Sequence, residues 1–379
     1  MEIMSDLQRD LVEEVLARAP LTSLRAMRFT CTKWNNLSKN GSFIKKQIAE
    51  AKKKQAKEFE VIMVMNFRVY LMSVNLSNGD SSISTKGKLI RLNDANHQVD
   101  IRSLFHCNGL LLCITTDSKA RLVVWNPCFG QTRWIKPRNS YHNLDCYALG
   151  YEKKTNNSHL SHKILRFVGK YYIFSEEEPS FEFELYSFDS NSWKVVGVTP
   201  PPQWECCYQR GLSLKGNTYW YAKEKHPGEQ DFLICFDFTT ETFGPHLPLP
   251  FHSSSSFGDT VALSNVGEEQ LAVLYQCEFT LRMEIWVTSK IEPKEVSWDK
   301  VFLAVDMTPL TGFRFSTANF FIDQKQNVAV VFDRDEDSSR SIAYVIGKEG
   351  YFQKVDFDES IDPNSYPVMC SYVPSSVQI

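Results

Sequence analysis

The stretch "VVWNPCFGQTRWI", residues 123–135, contains the pattern that decides the fold. An apolar run ends in an aromatic residue and an Asn, a short turn follows, and a second aromatic residue begins the return. The pattern recurs in "LYSFDSNSWKVV", "LICFDFTTETFGPHLPLP", "EIWVTSKIEPKEVSWDKV" and, more weakly, "VVFDRDEDSSRSIAYVIGKEGYFQKV". The second aromatic residues are 59, 50, 55 and 54 residues apart, at Trp134, Trp193, Phe243, Trp298 and Phe352.

A repeat of about 50 residues that consists of short strands is typical of the blades of a kelch-type β-propeller. We expect the Asp and Asn side chains to form turns by accepting backbone hydrogen bonds, and the aromatic residues to pack between neighbouring sheets. The strands near residues 61–74 and the stretch "PVMCSYVP" are candidates to supply or close a further blade. The polar residues 75–87 are predicted to form a loop. An irregular barrel or sandwich is the alternative.

Residues 5–58 have a helical periodicity instead. A first helix, ending at Pro20, has one wide apolar stripe formed by Leu7, Leu11, Val12, Val15, Leu16 and Ala19. A second helix is predicted after the break at Pro20, Leu21 and Thr22, with one face formed by Leu24, Met27, Cys31 and Trp34. A third begins near Ser42. Because so short a bundle buries only a small core, we expect something else, such as a partner protein, to cover part of the stripe.

The charge differs between the two parts of the chain. Residues 1–58 contain twelve Lys and Arg against seven Asp and Glu, which leaves 30 against 38 for the rest of the 379 residues. A mildly acidic body argues against a domain devoted to nucleic acid. The first residues have neither a basic region nor an apolar region typical of a secretion signal. The ten cysteines are therefore expected in a reducing compartment, the cytoplasm, the nucleus or both.

The helical part resembles the F-box, the motif that docks a substrate receptor on the Skp1 adaptor of a cullin ubiquitin ligase. The stretch "DLVEEVLARAPLTSLRAMRFTCTKWNNLSKNGSFIKK" has the helix, the proline break and the Cys-x-x-Trp element in the family's order. The positions that match the motif are Leu11, Val12, Val15, Leu16, Pro20, Leu21, Leu24, Arg28, Cys31 and Trp34. The resemblance implies that some of them contact Skp1, while others, including Trp34, hold the helices together.

The front edge of this motif departs from the family. Many F-boxes have Leu-Pro there, and this chain has Leu7 followed by Gln8. A capping box of Ser5 with Gln8 starts the first helix early, and one of Asp10 with Glu13 starts it later. The departure affects the expected affinity for Skp1 more than it affects the assignment of the motif.

The body resembles the F-box-associated domain of a large family of plant proteins. The stretches "GLLLC", "VVWNPCFGQTRWI", "YSFDSNSWKVV" and "GNTYWYA" carry the resemblance. It implies a domain that recruits the protein to be ubiquitinated. Together the two resemblances predict an α+β multidomain chain: an F-box in residues 1–45, a basic helical linker in 46–58 and a propeller-like domain in 59–379. They imply a non-catalytic receptor subunit that binds Skp1, and through it a cullin, and an unknown target.

Three alternative functions compete with this prediction. The first two helices are also compatible with a DNA-binding helix-turn-helix, but the second lacks side chains aimed at base edges. A propeller that binds another protein or a carbohydrate, outside any ligase, is the main alternative. An enzyme is not expected, because the sequence contains no GxGxxG, GxxxxGK, GxSxG or HExxH motif. No cofactor or membrane partner is predicted.

Smaller candidate sites have plain structural interpretations. Cys31 lacks neighbouring ligands and is expected to be a packed thiol. His159 and His162 have metal-ligand spacing but are assigned to a polar surface loop. Asp333 and the acidic residues after it are assigned to a charged hairpin tip. Trp204, Tyr208 and Arg210 lie in a long connection, residues 200–211, and are the candidates for contact with the target because such residue types are enriched in interface hot spots.

Overall fold

The computed structural model describes most of the chain. The described residues are 9–19, 30–38, 40–55, 59–77, 80–88, 93–94, 97–116, 121–139, 145–153, 160–169, 181–198, 204–206, 210–224, 230–252, 258–316, 318–334, 340–360, 368–375 and 377–379. The chain divides into two compact units. Unit 1 comprises Met1–Thr116, Arg121–Ile135 and Ser371–Ile379, and unit 2 comprises Asp117–Ala120 and Lys136–Cys370.

Three helices are described at the front of unit 1: α1 (Arg9–Ala17), α2 (Thr32–Leu37) and α3 (Gly41–Gln55). Asn40 caps α3, because its Oδ1 accepts a hydrogen bond from the Ser42 N–H at 2.9 Å. The third helix thus begins close to the predicted position. Asp10 lies inside α1, so the later of the two capping boxes is wrong, and Ser5 and Gln8 lie outside the described residues.

The prediction of one helical face shared by Leu24, Met27, Cys31 and Trp34 is wrong at Cys31. Its φ of -160° and ψ of 160° are those of extended backbone, so it precedes α2 as the N-cap residue. Leu24 and Met27 lie outside the described residues. A helix boundary between Thr30 and Thr32 breaks the register on which the predicted face depended, and β-branched Thr residues on both sides favour such a break.

The sheets follow the helices in chain order. The first sheet begins with β1 (Phe59–Met65), β2 (Arg68–Ser77) and β3 (Asp80–Lys88). A two-stranded hairpin follows, with β4 (Asn93–Asp94) and β5 (His97–Gln98). The second sheet contains β6 (Ile101–Cys107), β7 (Leu110–Thr115), β8 (Leu122–Asn126) and β9 (Gln131–Ile135). The third contains β10 (Cys146–Lys153), β11 (Leu160–Gly169), β12 (Phe181–Ser187) and β13 (Ser192–Val196).

The fourth sheet contains β14 (Trp204–Cys206), β15 (Leu212–Leu214), β16 (Asn217–Glu224), β17 (Phe232–Asp237), β18 (Thr242–Phe243) and β19 (Leu247–Pro248). The fifth contains β20 (Thr260–Val266), β21 (Gln270–Gln276), β22 (Arg282–Glu292), β23 (Glu295–Trp298) and β24 (Leu303–Asp306). The sixth contains β25 (Asn319–Asp323), β26 (Val328–Arg334), β27 (Arg340–Gly347), the 3₁₀ turn Lys348–Gly350 and β28 (Phe352–Ser360). The last strand is β29 (Val368–Ser371).

The strands pair antiparallel, mostly with their neighbours in sequence; in the fourth sheet β14 and β15 both pair with β16 and β19 pairs with β17, and in the fifth β24 pairs with β22. The second, third and sixth sheets have the simple order β6-β7-β8-β9, β10-β11-β12-β13 and β25-β26-β27-β28. The first sheet has the order β29-β1-β2-β3, so the last strand, whose final residue Ser371 belongs to unit 1, completes the sheet with which the strands began. Just beyond it, the Tyr372 N–H donates to the Glu60 carbonyl at 3.4 Å. The predicted closing role of "PVMCSYVP" is confirmed.

The prediction of a loop at residues 75–87 is wrong. Most of that stretch belongs to the hairpin of β2 and β3, in which Asn75 pairs with Ser82 and Val74 pairs with Ile83. β3 is the outermost strand of its sheet, and its Ser82, Ser84 and Thr85 side chains are exposed to solvent. A polar, Ser- and Thr-rich sequence is therefore compatible with strand there, and it also protects the open edge from pairing with other chains.

The repeated pattern forms the predicted turns. Asp237 Oδ1 accepts hydrogen bonds from the Thr239 and Thr240 N–H groups at 2.8 and 3.3 Å. Asn126 Oδ1 accepts one from the Phe129 N–H at 3.3 Å. The fifth copy differs, because Asp333 lies within β26 and Phe352 begins β28, with the whole of β27 between them. The 3₁₀ turn, rather than an Asp, makes its final reversal.

The second aromatic residues join neighbouring sheets. Within unit 2, the Trp298 indole N–H donates to the Pro248 carbonyl of the fourth sheet at 2.9 Å, and the Trp193 indole N–H donates to the Lys136 carbonyl at 2.6 Å. The Phe243 ring lies 5.2 Å from the Phe183 ring of the third sheet and 5.1 Å from the Phe236 ring of its own sheet. Aromatic packing across sheets is thus confirmed at these positions.

One close approach in unit 2 requires a glycine. A Cβ atom at Gly150 would lie 2.2 Å from Cδ2 of Phe238 and 2.5 Å from the Gly216 carbonyl oxygen. Phe238 is fully buried and is packed in the core of the third and fourth sheets. By contrast, a Cβ atom at Gly197 meets no atom within 4 Å. The two positions therefore make a matched pair of small-to-larger substitutions.

We predict that Gly150→Ala lowers the free energy of unfolding by about 3 kcal/mol, because the methyl group displaces a buried ring and a backbone carbonyl. Gly197→Ala is expected to change it by less than about 1 kcal/mol. Urea unfolding followed by tryptophan fluorescence measures both. Equal midpoints for the two variants would contradict the packing described for Gly150.

Candidate functional site

Helix α1 has two different apolar faces. Val12, Leu16 and Ala17 are buried. Leu11 and Val15 are 52% and 47% exposed, and they are neighbours on the helix surface because they are four residues apart. The predicted wide stripe is therefore divided into an inner half that the protein itself covers and an outer half that faces solvent. Leu11 and Val15 thus form a small exposed apolar surface that is available for contact with a partner.

The inner face of α1 packs in a cluster that includes residues far along the chain. From the helices the cluster contains Leu37, Phe43 and Ile44, and Trp34 packs against it half-buried. Cys128 and Phe129, in the turn between β8 and β9, complete it. The sequence analysis missed these two residues as part of the helical core. The available signal was "PCFG", an apolar pair in a turn that would otherwise be expected to be polar.

The remaining F-box positions are placed as follows. Leu7, Pro20, Leu21, Leu24 and Arg28 lie outside the described residues. Cys31 is exposed, so the expectation of a packed thiol is wrong. Its position at the N-cap of α2, rather than inside a helix, turns the thiol away from the cluster around Trp34.

Charged side chains border the exposed apolar pair. Arg18 Nη2 lies 2.7 Å from Glu14 Oε1 on the same helix, and Lys46 Nζ of α3 lies 3.7 Å from Glu14 Oε2. All three side chains are at least 43% exposed, so these ion pairs add little stability. An apolar centre with a charged rim is the usual composition of a protein–protein contact.

The residues predicted to contact a target are only partly described. Trp204 lies in β14 rather than in a long connection, and Tyr208 lies outside the described residues. Arg210 is half-buried, and its Nη2 donates to Asn319 Oδ1 of the sixth sheet at 2.8 Å. Burial lowers its pKa, although the nearby Cys370 acts in the opposite direction. Arg210 is therefore held against the sixth sheet within unit 2, and its contact with a target stays a prediction.

Unit 2 contains a polar cavity of about 320 Å³ at the turns of the third and fourth sheets. Its lining comprises Glu152, Ser161, Lys163, Leu185, Ser187, Asp189, Ser190, Ser192, Lys194 and Glu241. Lys163 Nζ, almost fully buried, lies 2.7 Å from Glu152 Oε2 and 2.9 Å from Glu241 Oε1, and it donates to the Phe238 carbonyl at 3.0 Å. Three acceptors match the three donors of the ammonium group.

The charges in this cavity are already balanced against each other. Burial alone would lower the pKa of Lys163, but the hydrogen bonds and charges of Glu152 and Glu241 outweigh it and raise that pKa. Burial alone would raise the pKa of Glu241, but Lys194 and Lys163 lower it. The ion pairs thus link the third and fourth sheets and account for the polarity of the cavity without a ligand.

Two of the smaller predicted sites are placed elsewhere. His162 is buried in β11, with its ring 5.5 Å from that of Tyr151, so its assignment to a surface loop is wrong, and His159 lies outside the described residues. Asp333 is also buried, and it accepts hydrogen bonds from the Ser316 N–H and hydroxyl at 2.6 and 2.5 Å. It is not part of a hairpin tip. Both side chains contribute to packing within a sheet.

Both parts of the chain match known protein families. Residues 4–46 match the model of the F-box domain, and residues 60–379 match the model of the F-box associated beta propeller domain. The chain belongs to the F-box proteins with an F-box associated propeller domain. Both predicted resemblances are confirmed, and so is the fold class: a three-helix F-box precedes a β-propeller whose blades are the six sheets described above.

Full-length relatives from Arabidopsis thaliana support this assignment. "F-box protein At5g42460" is 61% identical over 100% of this chain and 99% of its own length. "F-box protein At2g17830" is 59% identical with the same shares. "F-box/kelch-repeat protein At3g16740" is 58% identical over 99% of each chain. Within the described part of this F-box protein, no helix is both long and apolar enough to span a membrane.

We predict that Glu241→Gln lowers the free energy of unfolding by about 2 kcal/mol at pH 7, because it removes the charge that Lys163 and Lys194 contact. The pKa of Glu241 is lower in the folded protein than in the unfolded chain. Its contribution is therefore present above the unfolded pKa and disappears as the pH falls through the folded pKa. Urea midpoints of the variant and the wild type should stay apart at about pH 5 and above, and should converge only as the pH falls below about 4.

The control for this prediction is Glu295→Gln. Glu295 Oε2 lies 2.6 Å from Lys290 Nζ, but both side chains are more than half exposed. Its effect at pH 7 is expected to stay below about 1 kcal/mol. A difference between Glu241→Gln and wild type that does not change with pH would show that the carboxylate charge is not the cause.

Proposed function

We propose that this F-box protein is the substrate-recognition subunit of a Skp1–cullin–F-box ubiquitin ligase. The observation on which the proposal depends is the exposed pair Leu11 and Val15 on α1, inside the residues that match the F-box domain. The other face of α1 is already filled by the protein's own core. The outer pair is thus the part of the predicted stripe left for a partner.

The chemistry of this face suits a protein adaptor. Fully burying a Leu or Val side chain contributes about 1.5–3 kcal/mol, so the pair supplies a substantial part of a specific contact. The rim residues Glu14 and Arg18 on α1 and Lys46 on α3 can orient the partner electrostatically without a large desolvation cost. The conformation of α1 is fixed before docking, because Val12 and Leu16 anchor it. A preorganised helix loses little entropy on binding.

The proposed mechanism is proximity. The F-box holds the adaptor, and through it the cullin, while the propeller holds a target protein, so that the charged conjugating enzyme meets a target lysine at a high effective concentration. The F-box protein itself contributes no catalytic residue. The proposal places it in the cytoplasm, the nucleus or both. Trp204 and Tyr208 stay predictions as target contacts, whereas the hydrogen bond of Arg210 to Asn319 favours an internal role for that residue.

We predict that the full chain binds a purified Skp1-type adaptor and that Leu11→Asp/Val15→Asp weakens this binding at least about 100-fold. Two carboxylates placed in an apolar contact must be desolvated without partners. Isothermal titration calorimetry measures the affinity, and circular dichroism checks that the thermal midpoint is retained, since both residues are exposed.

The matched control is Val195→Asp. Val195 is 46% exposed, as an apolar residue on β13 of the propeller, and the change is chemically the same. It should leave adaptor affinity within about twofold of wild type. Adaptor binding that survives the double substitution, in a chain that retains its thermal midpoint, would contradict the proposed function.

A further inference from the structure

The turn between β8 and β9, residues 127–130, packs against the F-box helices. We call it the apolar turn. Cys128 and Phe129 are 4% and 8% exposed, and both belong to the cluster that contains Val12, Leu16 and Phe43. A ring and a thiol from the second sheet thus fill space that the three helices leave open. All of these residues are in unit 1.

Asn126 fixes the conformation of the apolar turn. Asn126 is fully buried at the end of β8, and its side-chain oxygen and nitrogen form hydrogen bonds with two different segments of the chain. Its Oδ1 accepts a hydrogen bond from the Phe129 N–H at 3.3 Å, and its Nδ2 donates to the Val377 carbonyl. The same side chain therefore connects the turn to a residue 251 positions further along the chain.

Residues 372–375 and 377–379, which we call the closing segment, line the other side of the apolar turn. Tyr372 is 1% exposed, and its hydroxyl lies 3.6 Å from Cys128 Sγ. The Ser375 hydroxyl donates to the Asn108 carbonyl at 2.5 Å, and the Ile379 N–H donates to Gln131 Oε1 at 3.3 Å. The closing segment thus contacts the β6–β7 turn at Asn108, the apolar turn at Cys128 and the start of β9 at Gln131.

The fit of the closing segment against the β6–β7 turn is close. A Cβ atom at Gly109 would lie 2.3 Å from Ser375 Oγ, and Gly109 has a φ of +74°, in the region that favours glycine. His106 accepts a hydrogen bond from the Gly109 N–H on Nε2 at 3.1 Å and contacts the Val373 backbone. Burial lowers the pKa of His106 to about 4, so the ring is neutral near pH 7.

We propose that the closing segment controls the F-box: the adaptor-docking helices reach their stable conformation only after this segment has locked the apolar turn. A three-helix bundle of this size buries too little surface to be stable without added core, and Cys128 and Phe129 supply that core. The position of Cys128 and Phe129 depends on the closing segment, because Asn126 donates to the Val377 carbonyl and Tyr372 contacts Cys128. The closing segment follows β29 directly, so it reaches this position only when β29 has paired with β1 in the first sheet.

This device couples adaptor docking to completion of the propeller. An unfinished or opened propeller lacks the lock, so its helices fray and the pair Leu11 and Val15 is no longer presented on a fixed helix. The ligase would then assemble preferentially on receptors with a closed propeller. The coupling to docking rests on the proposed function, whereas the coupling between closing segment and helices does not.

The test uses the full chain with Phe129→Ala and, separately, Asn126→Ala. Hydrogen–deuterium exchange with mass spectrometry should show exchange in α1 and α3 at least about tenfold faster in both variants, with the third to fifth sheets unchanged. Adaptor affinity, measured by calorimetry, should fall about tenfold. Ser375→Ala removes one half-buried hydroxyl and leaves the chain folded. It should make exchange in α1 and α3 about threefold faster and lower the adaptor affinity about threefold.

Phe238→Ala is the matched control. Phe238 is fully buried in the corresponding turn of the fourth sheet, after Asp237, and belongs to unit 2. It should destabilise its own sheets without selectively accelerating exchange in the helices. Unchanged helix exchange in Phe129→Ala and Ser375→Ala would overturn the inference, and so would faster exchange with undiminished adaptor affinity. If wild type does not bind the adaptor at all, the proposed function fails, while the exchange data still decide whether the closing segment stabilises the helices.

Discussion

The helices at the front of this chain cannot bury their own apolar residues, and the rest of the architecture depends on how that deficit is met. On one side, Cys128 and Phe129 of the second sheet fill the gap beside Val12 and Leu16. On the other side, Leu11 and Val15 stay in solvent. The same shortage of core thus produces an intramolecular contact and an open face. A larger bundle would have needed neither.

The β-domain meets its own packing problem by repetition. Each sheet presents two apolar faces, so each must be covered by its neighbours, and side chains at the outer strands make the connections. Trp298 does this with an indole N–H that reaches the fourth sheet, and Phe243 does it with a ring that contacts the third. The ion pair of Lys163 and Glu241 adds a polar connection between the third and fourth sheets.

The sequence predicted the structure correctly where a local pattern is compatible with a single local conformation. Asn126 and Asp237 formed the expected turns because a short side-chain acceptor after a strand has few other partners. It was misleading where polar composition reflects solvent exposure rather than secondary structure: residues 80–87 are polar because β3 is an edge strand, and not because they form a loop. Similarly, His162 stands in a polar stretch but is buried.

The candidate site could be predicted only in part, for a physical reason. Periodicity places Leu11, Val12, Val15 and Leu16 on one broad side of α1, but it contains no information on which of them the remainder of the chain covers. Which face of α1 is buried depends on Phe129, which is more than a hundred residues away in sequence. The periodicity of a helix cannot predict a contact with so distant a residue. The break at Cys31 was hidden for the opposite reason, because a helical spacing of apolar residues continues through a residue whose backbone is extended.

The composition of the apolar turn has a consequence for exchanging modules between receptors. A chimera that joins the F-box of one such protein to the propeller of another would oppose two surfaces that were never selected together, a ring and a thiol from one parent against a helix groove from the other. A graft boundary near residue 58 divides this contact, although it looks natural in the sequence. Designers of hybrid receptors should therefore transfer residues 126–130 together with the helices, and treat that pentapeptide as part of the docking module.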